Sequence, residues 1–141
     1  MTVRQISVFI ENKPGTMVKI TDALGNAGVD IRAMSLADTQ DFGILRLIVN
    51  DTDKAKAALS AVGCITSVTD VIVAELPDVP GAMTKTVRLL AEHGINIEYI
   101  YAFVSQEKNK KAYIVFRIKD TEKASSVLTA EGIVLADEGV I

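Results

Sequence analysis

Hydrophobic and polar residues follow two different periods along the first part of the chain. Residues 3–10, VRQISVFI, alternate between apolar and polar side chains and are rich in β-branched types, which predicts a strand. From Met17 to Ala27, apolar residues recur at steps of three and four, as on one face of a helix. Gly28 follows and gives this predicted helix a typical C-terminal end.

The same pattern predicts four further elements in the first half of the chain. Two strands, 29–37 and 42–50, are joined by a short polar turn. Asp51 begins a second helix that ends at Gly63, and residues 64–68, CITSV, form a final short strand. The resulting order, β-α-β-β-α-β, is the split βαβ or ferredoxin-like arrangement. We therefore expect an antiparallel sheet with both helices on one face.

The second half of the chain repeats the first. An offset of 66 residues places Pro14 and Gly15 on Pro80 and Gly81. Farther along, an offset of 69 residues places the stretch DTDKA on DTEKA. Internal similarity at a fixed spacing indicates a duplicated structural unit. The predicted fold class is therefore α+β, with two ferredoxin-like βαββαβ repeats.

The predicted boundary between the repeats follows from the short connection between them. We expect a first domain over residues 1–69 and a second over residues 70–141, with strand segments around 64–76 at the junction. No Gly/Ser or Pro-rich linker separates them, so we expect the two domains to pack rigidly. The three extra residues of the second copy are placed in the polar stretch 105–111, because an insertion at a hairpin tip is well tolerated.

Composition narrows the class of function. The net charge of −3 argues against nonspecific binding of nucleic acid, which needs many basic residues. Cys64 is the single cysteine and His93 the single histidine, so the sequence predicts no disulfide, metal or cofactor site. It also lacks a P-loop, a GxGxxG motif and a Ser-His-Asp set, so no catalytic residues are expected. With no apolar run long enough for a membrane and no signal-like N-terminus, the expected location is cytoplasmic.

The two Pro-Gly turns carry the candidate binding chemistry. Each turn lies between a strand and a helix, so the first backbone N–H groups of the helix stay free at the positive end of its dipole. A carboxylate fits there, and glycine allows it to approach the backbone closely. Asn12 and Asp78, two residues before each proline, can accept hydrogen bonds from an ammonium group. An α-amino acid combines both groups; the alternative is that Pro-Gly only makes a tight turn.

The stretches NKPGTM…AGVDI and DVPGAM…HGINI resemble the ACT domain, and together the two copies cover nearly the whole chain. The resemblance implies a regulatory module that binds a small ligand, which in this family is in most cases an amino acid. It also implies that the module pairs side by side with another module. It implies ligand contacts at the Asx and glycine of the turn and at the Asx after the helix. The expected binding residues are Asn12, Pro14, Gly15, Thr16, Met17, Asp30 and Ile31 in the first copy, and Asp78, Pro80, Gly81, Ala82, Met83, Asn96 and Ile97 in the second.

Three functions follow as hypotheses. The first is a free-standing sensor of a free amino acid, expected to form a homodimer. The second is a non-catalytic regulatory subunit of an amino-acid biosynthetic enzyme such as acetolactate synthase. The third is an RNA-binding module, because the RRM has the same β-α-β-β-α-β topology, although its exposed aromatic pattern and basic charge are absent here. No membrane or nucleic-acid partner is expected.

The Asx residues also predict how each site is assembled. The first copy has Asn12 in the turn and Asp30 after the helix, whereas the second has Asp78 and Asn96. A site built from its own copy then holds one carboxylate, which can pair with the ligand's ammonium group. If the turn and the strand came from different copies, one site would have no carboxylate and the other would have two. The balanced, own-copy arrangement is the one we expect.

Overall fold

The computed structural model describes residues 1–104 and 111–139, and contains two compact units. One unit comprises Arg4–Thr69, and the other comprises Met1–Val3 together with Asp70–Ile141. The hairpin insertion expected at 105–111 lies, apart from Lys111, outside the described residues. No helix in the described part of the chain is long and apolar enough to cross a membrane.

The first unit has the predicted β-α-β-β-α-β order. Its strands lie in the order β2-β3-β1-β4, with β1 and β2 both antiparallel to β3. The elements are β1 (Val3–Glu11), α1 (Thr16–Asn26), β2 (Ile31–Thr39), β3 (Phe42–Val49), α2 (Thr52–Ala61) and the beginning of β4 (Ile65–Pro77).

The second unit repeats this arrangement, with the later part of β4 in the place of β1. Its strands lie in the order β7-β4-β6-β5, and each neighbouring pair is antiparallel. The remaining elements are α3 (Ala82–Glu92), β5 (Tyr99–Val104), β6 (Lys111–Arg117), α4 (Thr121–Ala130) and β7 (Val134–Ala136). The α+β class and the duplicated ferredoxin-like repeat are thereby confirmed.

The junction differs from the sequence-based expectation. CITSV and VIVAEL were predicted as two strands separated by a few residues, but Ile65–Pro77 forms one continuous strand of 13 residues. No glycine or proline interrupts this stretch before Pro77, and β-branched residues dominate it, so nothing ends the extended conformation earlier. One strand therefore serves as the last strand of the first repeat and the first strand of the second.

Each unit has its own hydrophobic core between the helices and one face of its sheet; the first is aliphatic, and the second also contains the fully buried Phe116. Ile20 and Leu24 of α1 are almost fully buried in the first core, and Leu90 of α3 in the second. Met17 packs against the first core, in agreement with the helical stripe predicted for α1, and Ile31 at the start of β2 packs there as well. Met83 and Ile97 do the same in the second unit.

The register of the hairpins fixes which residues share an end of each sheet. In the first unit, Phe42 pairs with Glu11, so the Pro-Gly turn lies at the Phe42 end of β3. Ile31 pairs with Val49, at the other end. We call the end of each sheet that adjoins the Pro-Gly turn its turn end.

Candidate functional site

The helices α1 and α3 begin in the same unusual way. Gly15 and Gly81 occupy the N-cap positions with φ of 89° and 90°, a left-handed conformation that favours glycine. Neither helix has a side-chain cap or an acidic residue in its first turn. The positive end of each helix dipole is therefore left without a negatively charged neighbour from its own first turn.

The helices α2 and α4, by contrast, begin with ordinary side-chain caps. Asp51 caps α2 and accepts a hydrogen bond from Lys54 N at 3.1 Å, and Asp120 caps α4 in the same way through Lys123 N at 3.0 Å. Each of these helices also has an acidic residue in its first turn. Because the same chain caps α2 and α4 with carboxylates, the starts of α1 and α3 are the two that leave room for an external one.

Unbonded backbone donors remain at the start of α1. Thr16 N and Lys19 N are bonded to Lys13 O and Gly15 O, at 3.5 and 3.1 Å. Among the described residues this leaves the N–H groups of Met17 and Val18 without an acceptor.

The start of α3 also has unbonded backbone donors. Ala82 N is bonded to Val79 O and Lys85 N to Gly81 O, so the N–H groups of Met83 and Thr84 are the ones left over in the described chain.

A groove of about 460 Å³ adjoins the start of α1; we call it the first groove. Its helix side is formed by Gly15, Thr16 and Lys19, and its sheet side by the last residues of β1. Its complete lining is Phe9, Ile10, Glu11, Lys13, Pro14, Gly15, Thr16, Lys19, Ile20, Gly63 and Cys64. The volume falls in the range of small-molecule sites.

An equivalent groove of about 440 Å³, the second groove, adjoins the start of α3. The repeat offsets match Lys19 with Lys85 and Gly63 with Gly132, and both members of each pair line their grooves. Its complete lining is Glu75, Leu76, Pro77, Ala82, Lys85, Thr86, Lys111, Glu131, Gly132, Ile133 and Val134. The two copies therefore share a groove at the helix start as well as the Pro-Gly turn.

Lys19 and Lys85 are the basic groups common to the two grooves. Neither lysine has an ion-pair partner among residues 1–104 and 111–139. Each follows its N-cap glycine by four residues, so it lies one turn into the helix and over the same face as the N-cap. An ammonium group there reinforces the positive end of the helix dipole toward a bound carboxylate.

Thr16, which lines the first groove, has an unusual hydroxyl group. Its oxygen is buried and has no hydrogen-bond partner in the described part of the chain. A buried hydroxyl without a partner is unfavourable, and native proteins seldom leave one unpaired without a reason.

The turn Asx residues lie at the turn ends of their sheets, as expected. Asn12 donates from Nδ2 to Gln40 O at 2.9 Å, which fixes the side chain and leaves its Oδ1 as the acceptor. Asp78 lines a smaller pocket of about 290 Å³ on the other side of the α3 start, together with Ala82, Met83 and Phe103. Phe103 is held there by stacking on Tyr113, with ring centroids 5.1 Å apart.

Asp30 and Asn96 lie at the opposite ends of the sheets, so the own-copy arrangement is wrong. The Asp30 amide donates to Asn50 Oδ1 at 2.9 Å, at the far end of β3 from Asn12. Since β3 has eight residues, the two ends are separated by roughly 23 Å. Asp30 also forms an ion pair with Arg32 at 3.1 Å.

The second copy has the same geometry. The Glu98 amide, two residues after Asn96, donates to Arg117 O at one end of β6. The Pro-Gly turn adjoins Pro77, which pairs with Lys111 at the other end of β6. With seven residues in β6, the ends are roughly 20 Å apart. One copy therefore cannot place its two Asx side chains on a single amino acid.

The structure thus gathers only part of the predicted residue set around the grooves. Pro14, Gly15 and Thr16 line the first groove, Ala82 lines the second, and Gly81 borders an adjoining cavity on α3. Met17, Ile31, Met83 and Ile97 pack against the cores, and Asn12, Asp30, Pro80 and Asn96 line none of the cavities described here.

Two groove residues escaped the sequence interpretation, namely Lys19 and Lys85. The signal for them was present, since the offset of 66 residues matches one with the other. No group of three or more metal-ligating side chains occurs within residues 1–104 and 111–139.

Two ferredoxin-like units, each with an uncapped helix start beside a groove, define a duplicated α+β module. The chain belongs to the ACT domain pair family, whose profile matches residues 1–139. ACT domain pairs are regulatory modules, so the RNA-binding hypothesis is set aside. The chain has no significant match among curated proteins.

Several solved structures are similar to this chain in fold. Protein BT0572 from Bacteroides thetaiotaomicron superposes with a TM-score of 0.89 and 37% identity, over 96% of this chain and 92% of that chain. The ligand-free regulatory subunit of aspartate kinase from Thermus thermophilus superposes with a TM-score of 0.64 and 18% identity, over 90% and 91%. The corresponding subunit from Thermus flavus gives 0.64 and 20%, over 90% and 88%. The two kinase subunits share the fold with this chain.

Proposed function

We propose that this protein is a non-catalytic sensor of a free amino acid, which it binds at the helix-start grooves. One observation carries the proposal: both Pro-Gly turns lead into helices with a left-handed glycine at the N-cap, no acidic cap, and a lysine facing a groove. The capped starts of α2 and α4 show that the chain uses carboxylates of its own elsewhere.

The ligand's carboxylate is assigned to the start of the helix. It accepts hydrogen bonds from free first-turn N–H groups, and the nearby lysine supplies a positive charge. The αL glycine keeps the backbone open, since a Cβ added at Gly15 or Gly81 would meet no atom within 4 Å. The ammonium group needs an acceptor at the turn end, where Glu11 and the Oδ1 atom of Asn12 are available in the first copy.

A regulatory subunit is the second candidate. The aspartate kinase subunits that share this fold are regulatory subunits, which gives the kind of partner to test. In that case amino-acid binding changes the association with, or the activity of, an amino-acid biosynthetic enzyme. Affinity purification of the native protein with and without the amino acid distinguishes the two roles, because a free-standing sensor retains no stoichiometric enzyme. The homodimer stays a prediction, measured by sedimentation equilibrium.

Thermal unfolding with each of the twenty amino acids tests the proposal. A ligand present at roughly 100 times its Kd adds about 2.7 kcal/mol to the free energy of unfolding. We expect at least one L-amino acid to raise the Tm, and calorimetry to give a saturable isotherm for the same compound. If none of the twenty changes the Tm at millimolar concentration and calorimetry detects no heat of binding, the sensor proposal is wrong.

Asparagine is the substitution that tests the two turn glycines. Since Gly15 and Gly81 have positive φ, a β-branched residue would strain the turn and confuse unfolding with loss of binding. Asparagine tolerates the left-handed conformation and still places a side chain in the open space. Gly15→Asn and Gly81→Asn should therefore keep the fold and weaken binding in the copy that carries the change.

A further inference from the structure

The smaller pocket beside the start of α3 is an apolar recess in the second unit, and we call it the α3 pocket. Its floor is formed by Leu76 of β4, Ala102 of β5, and Ala112 and Ile114 of β6. These four residues share the helix-facing side of the sheet, because Leu76 pairs with Ala112, Ala102 pairs with Ile114, and Ile114 belongs to the core. The volume of about 290 Å³ lies near the lower end of the range for small-molecule sites. The recess therefore has room for one small apolar group.

The first unit fills the equivalent space with a side chain of its own. The offset of 66 residues matches Ala102 with Leu36, the offset of 69 residues matches Ala112 with Gly43, and the strand registers of the two hairpins agree. The Leu36 Cδ1 atom lies 3.5 Å from the position that a Cβ atom would take at Gly43. Leu36 therefore covers the floor that stays open in the second unit, where the matched residue is alanine.

The polar group at the rim also differs between the copies. In the first unit the Asn12 side chain donates to Gln40 O at 2.9 Å, in the neighbouring hairpin. Its counterpart Asp78 lines the α3 pocket and is exposed. Among residues 1–104 and 111–139, the Asp78 side chain has no hydrogen bond or ion pair. Its carboxylate is therefore available to a cation that lies beside the apolar floor.

This combination favours one class of amino acid. The side chains of the floor offer no hydrogen-bond donor or acceptor, so a polar ligand side chain would lose its water there without replacement. An apolar side chain, by contrast, gains free energy when it leaves water. An ammonium group at the rim is attracted by the Asp78 carboxylate. Met83, whose N–H group is unbonded in the described chain, lines the same pocket and can face the ligand's carboxylate.

We propose that the second copy is selective for an amino acid with an apolar side chain, which lies in the α3 pocket against Ala102 and Ala112. The inference rests on the proposed function and adds a difference between the two copies. The ligand's ammonium group pairs with Asp78, and its carboxylate lies at the start of α3. Because Leu36 covers the equivalent floor, the first copy holds the same ligand without this apolar contact and binds it more weakly.

Isothermal calorimetry on the full chain tests the selectivity. L-valine, L-leucine, L-isoleucine and L-methionine are compared with L-alanine, which has the same two charged groups but is too small to fill the recess, and with L-asparagine and L-lysine. We expect at least one of the four larger apolar amino acids to bind at least tenfold more tightly than L-alanine, because its side chain is buried. L-asparagine and L-lysine should bind no more tightly than L-alanine.

Exchanging the residues that distinguish the two copies tests the position of the ligand. Ala102→Leu gives the second copy the side chain that covers the floor in the first, so it should remove the advantage over L-alanine. Leu36→Ala, the reciprocal variant, should change the tighter site less than twofold. Asp78→Asn should weaken the tighter site about tenfold by removing a charge-assisted hydrogen bond. Asp22→Asn, on the exposed surface of α1, is the matched control and should have no effect.

A measurement on the unaltered protein does not depend on the folding of any variant. Nuclear Overhauser effects are expected between the methyl protons of the bound ligand and the methyl groups of Ala102, Ala112 and Ile114. Ala102 and Leu36 are both exposed, so their exchange spares the cores, and a urea unfolding curve checks the fold of each variant.

The results separate two failures. If no amino acid binds, the proposed function fails together with this inference. If an amino acid binds, three results overturn only the assignment to the α3 pocket. These are binding of L-alanine or a polar amino acid as tight as that of the larger apolar ones, an advantage over L-alanine that survives in a folded Ala102→Leu variant, and ligand Overhauser effects that do not reach Ala102, Ala112 and Ile114.

Discussion

Replacing Thr16 with valine should stabilise the protein in the absence of ligand. The Thr16 hydroxyl is buried without a hydrogen-bond partner among the described residues, so the folded state bears its desolvation cost. Such a group costs about 1–3 kcal/mol, and valine replaces it with a methyl group of nearly the same size. For a chain of 141 residues unfolding in one transition, each kcal/mol corresponds to about 3 °C in Tm. We therefore expect a Tm higher by about 3 °C or more.

Urea unfolding measures the free energy, and Thr86→Val is the matched control. Thr86 is 1% exposed and lies in the equivalent helix, but its hydroxyl donates to Ala82 O. Valine at this position removes a satisfied hydrogen bond, so it should give no gain and a loss of up to about 1 kcal/mol. A fall in stability for Thr16→Val, or equal effects for both variants, would refute the reasoning, because it would show that the Thr16 hydroxyl is satisfied in solution.

Three further predictions concern stability and are all measured by urea unfolding. Gly15→Ala should lower the free energy of unfolding by about 1–2 kcal/mol because Gly15 has a positive φ. Gly25 lies inside α1 with open space at its Cβ position, so Gly25→Ala should raise the free energy of unfolding by about 0.5–1 kcal/mol. A change of the same sign in both variants would contradict the left-handed turn. Asp51→Ala should cost about 1 kcal/mol by removing the cap of α2, and an unchanged midpoint would show that this cap contributes nothing. Ser125→Ala should raise stability by about 1 kcal/mol because the buried Ser125 hydroxyl lacks a partner in the described chain, and a loss would indicate a bond to solvent.

The repeat and its elements could be predicted because local signals and the duplication agree. The period-two pattern of β1, the helical stripe ending at Gly28 and the capping aspartate of α2 each specify one element from its own residues. The break predicted between CITSV and VIVAEL was wrong, since the sequence has no breaking residue between Ile65 and Pro77. Local patterns cannot tell one long strand from two short ones in register.

The site was harder to predict because it depends on the direction of the strands. Asn12 and Asp30 flank the same helix in sequence, yet a helix that runs back along a strand carries its two ends to opposite ends of the sheet. Lys19, by contrast, lies within one turn of the Gly15 N-cap and could have been assigned from helix geometry alone. The salt bridge between Glu75 and Lys111 beside the second groove could not be predicted, because only the β4–β6 register brings the two residues together.

The most direct test of amino-acid binding at the helix start is a titration followed by amide NMR. The tightest-binding of the twenty amino acids is added to the ¹⁵N-labelled protein, and the backbone N–H signals at the starts of the helices are compared. The account predicts that the Met17 and Val18 signals move as the ligand saturates, while that of Lys54, already bonded to Asp51, stays in place. Binding that leaves the Met17 and Val18 signals unchanged and moves signals away from both Pro-Gly turns would contradict it.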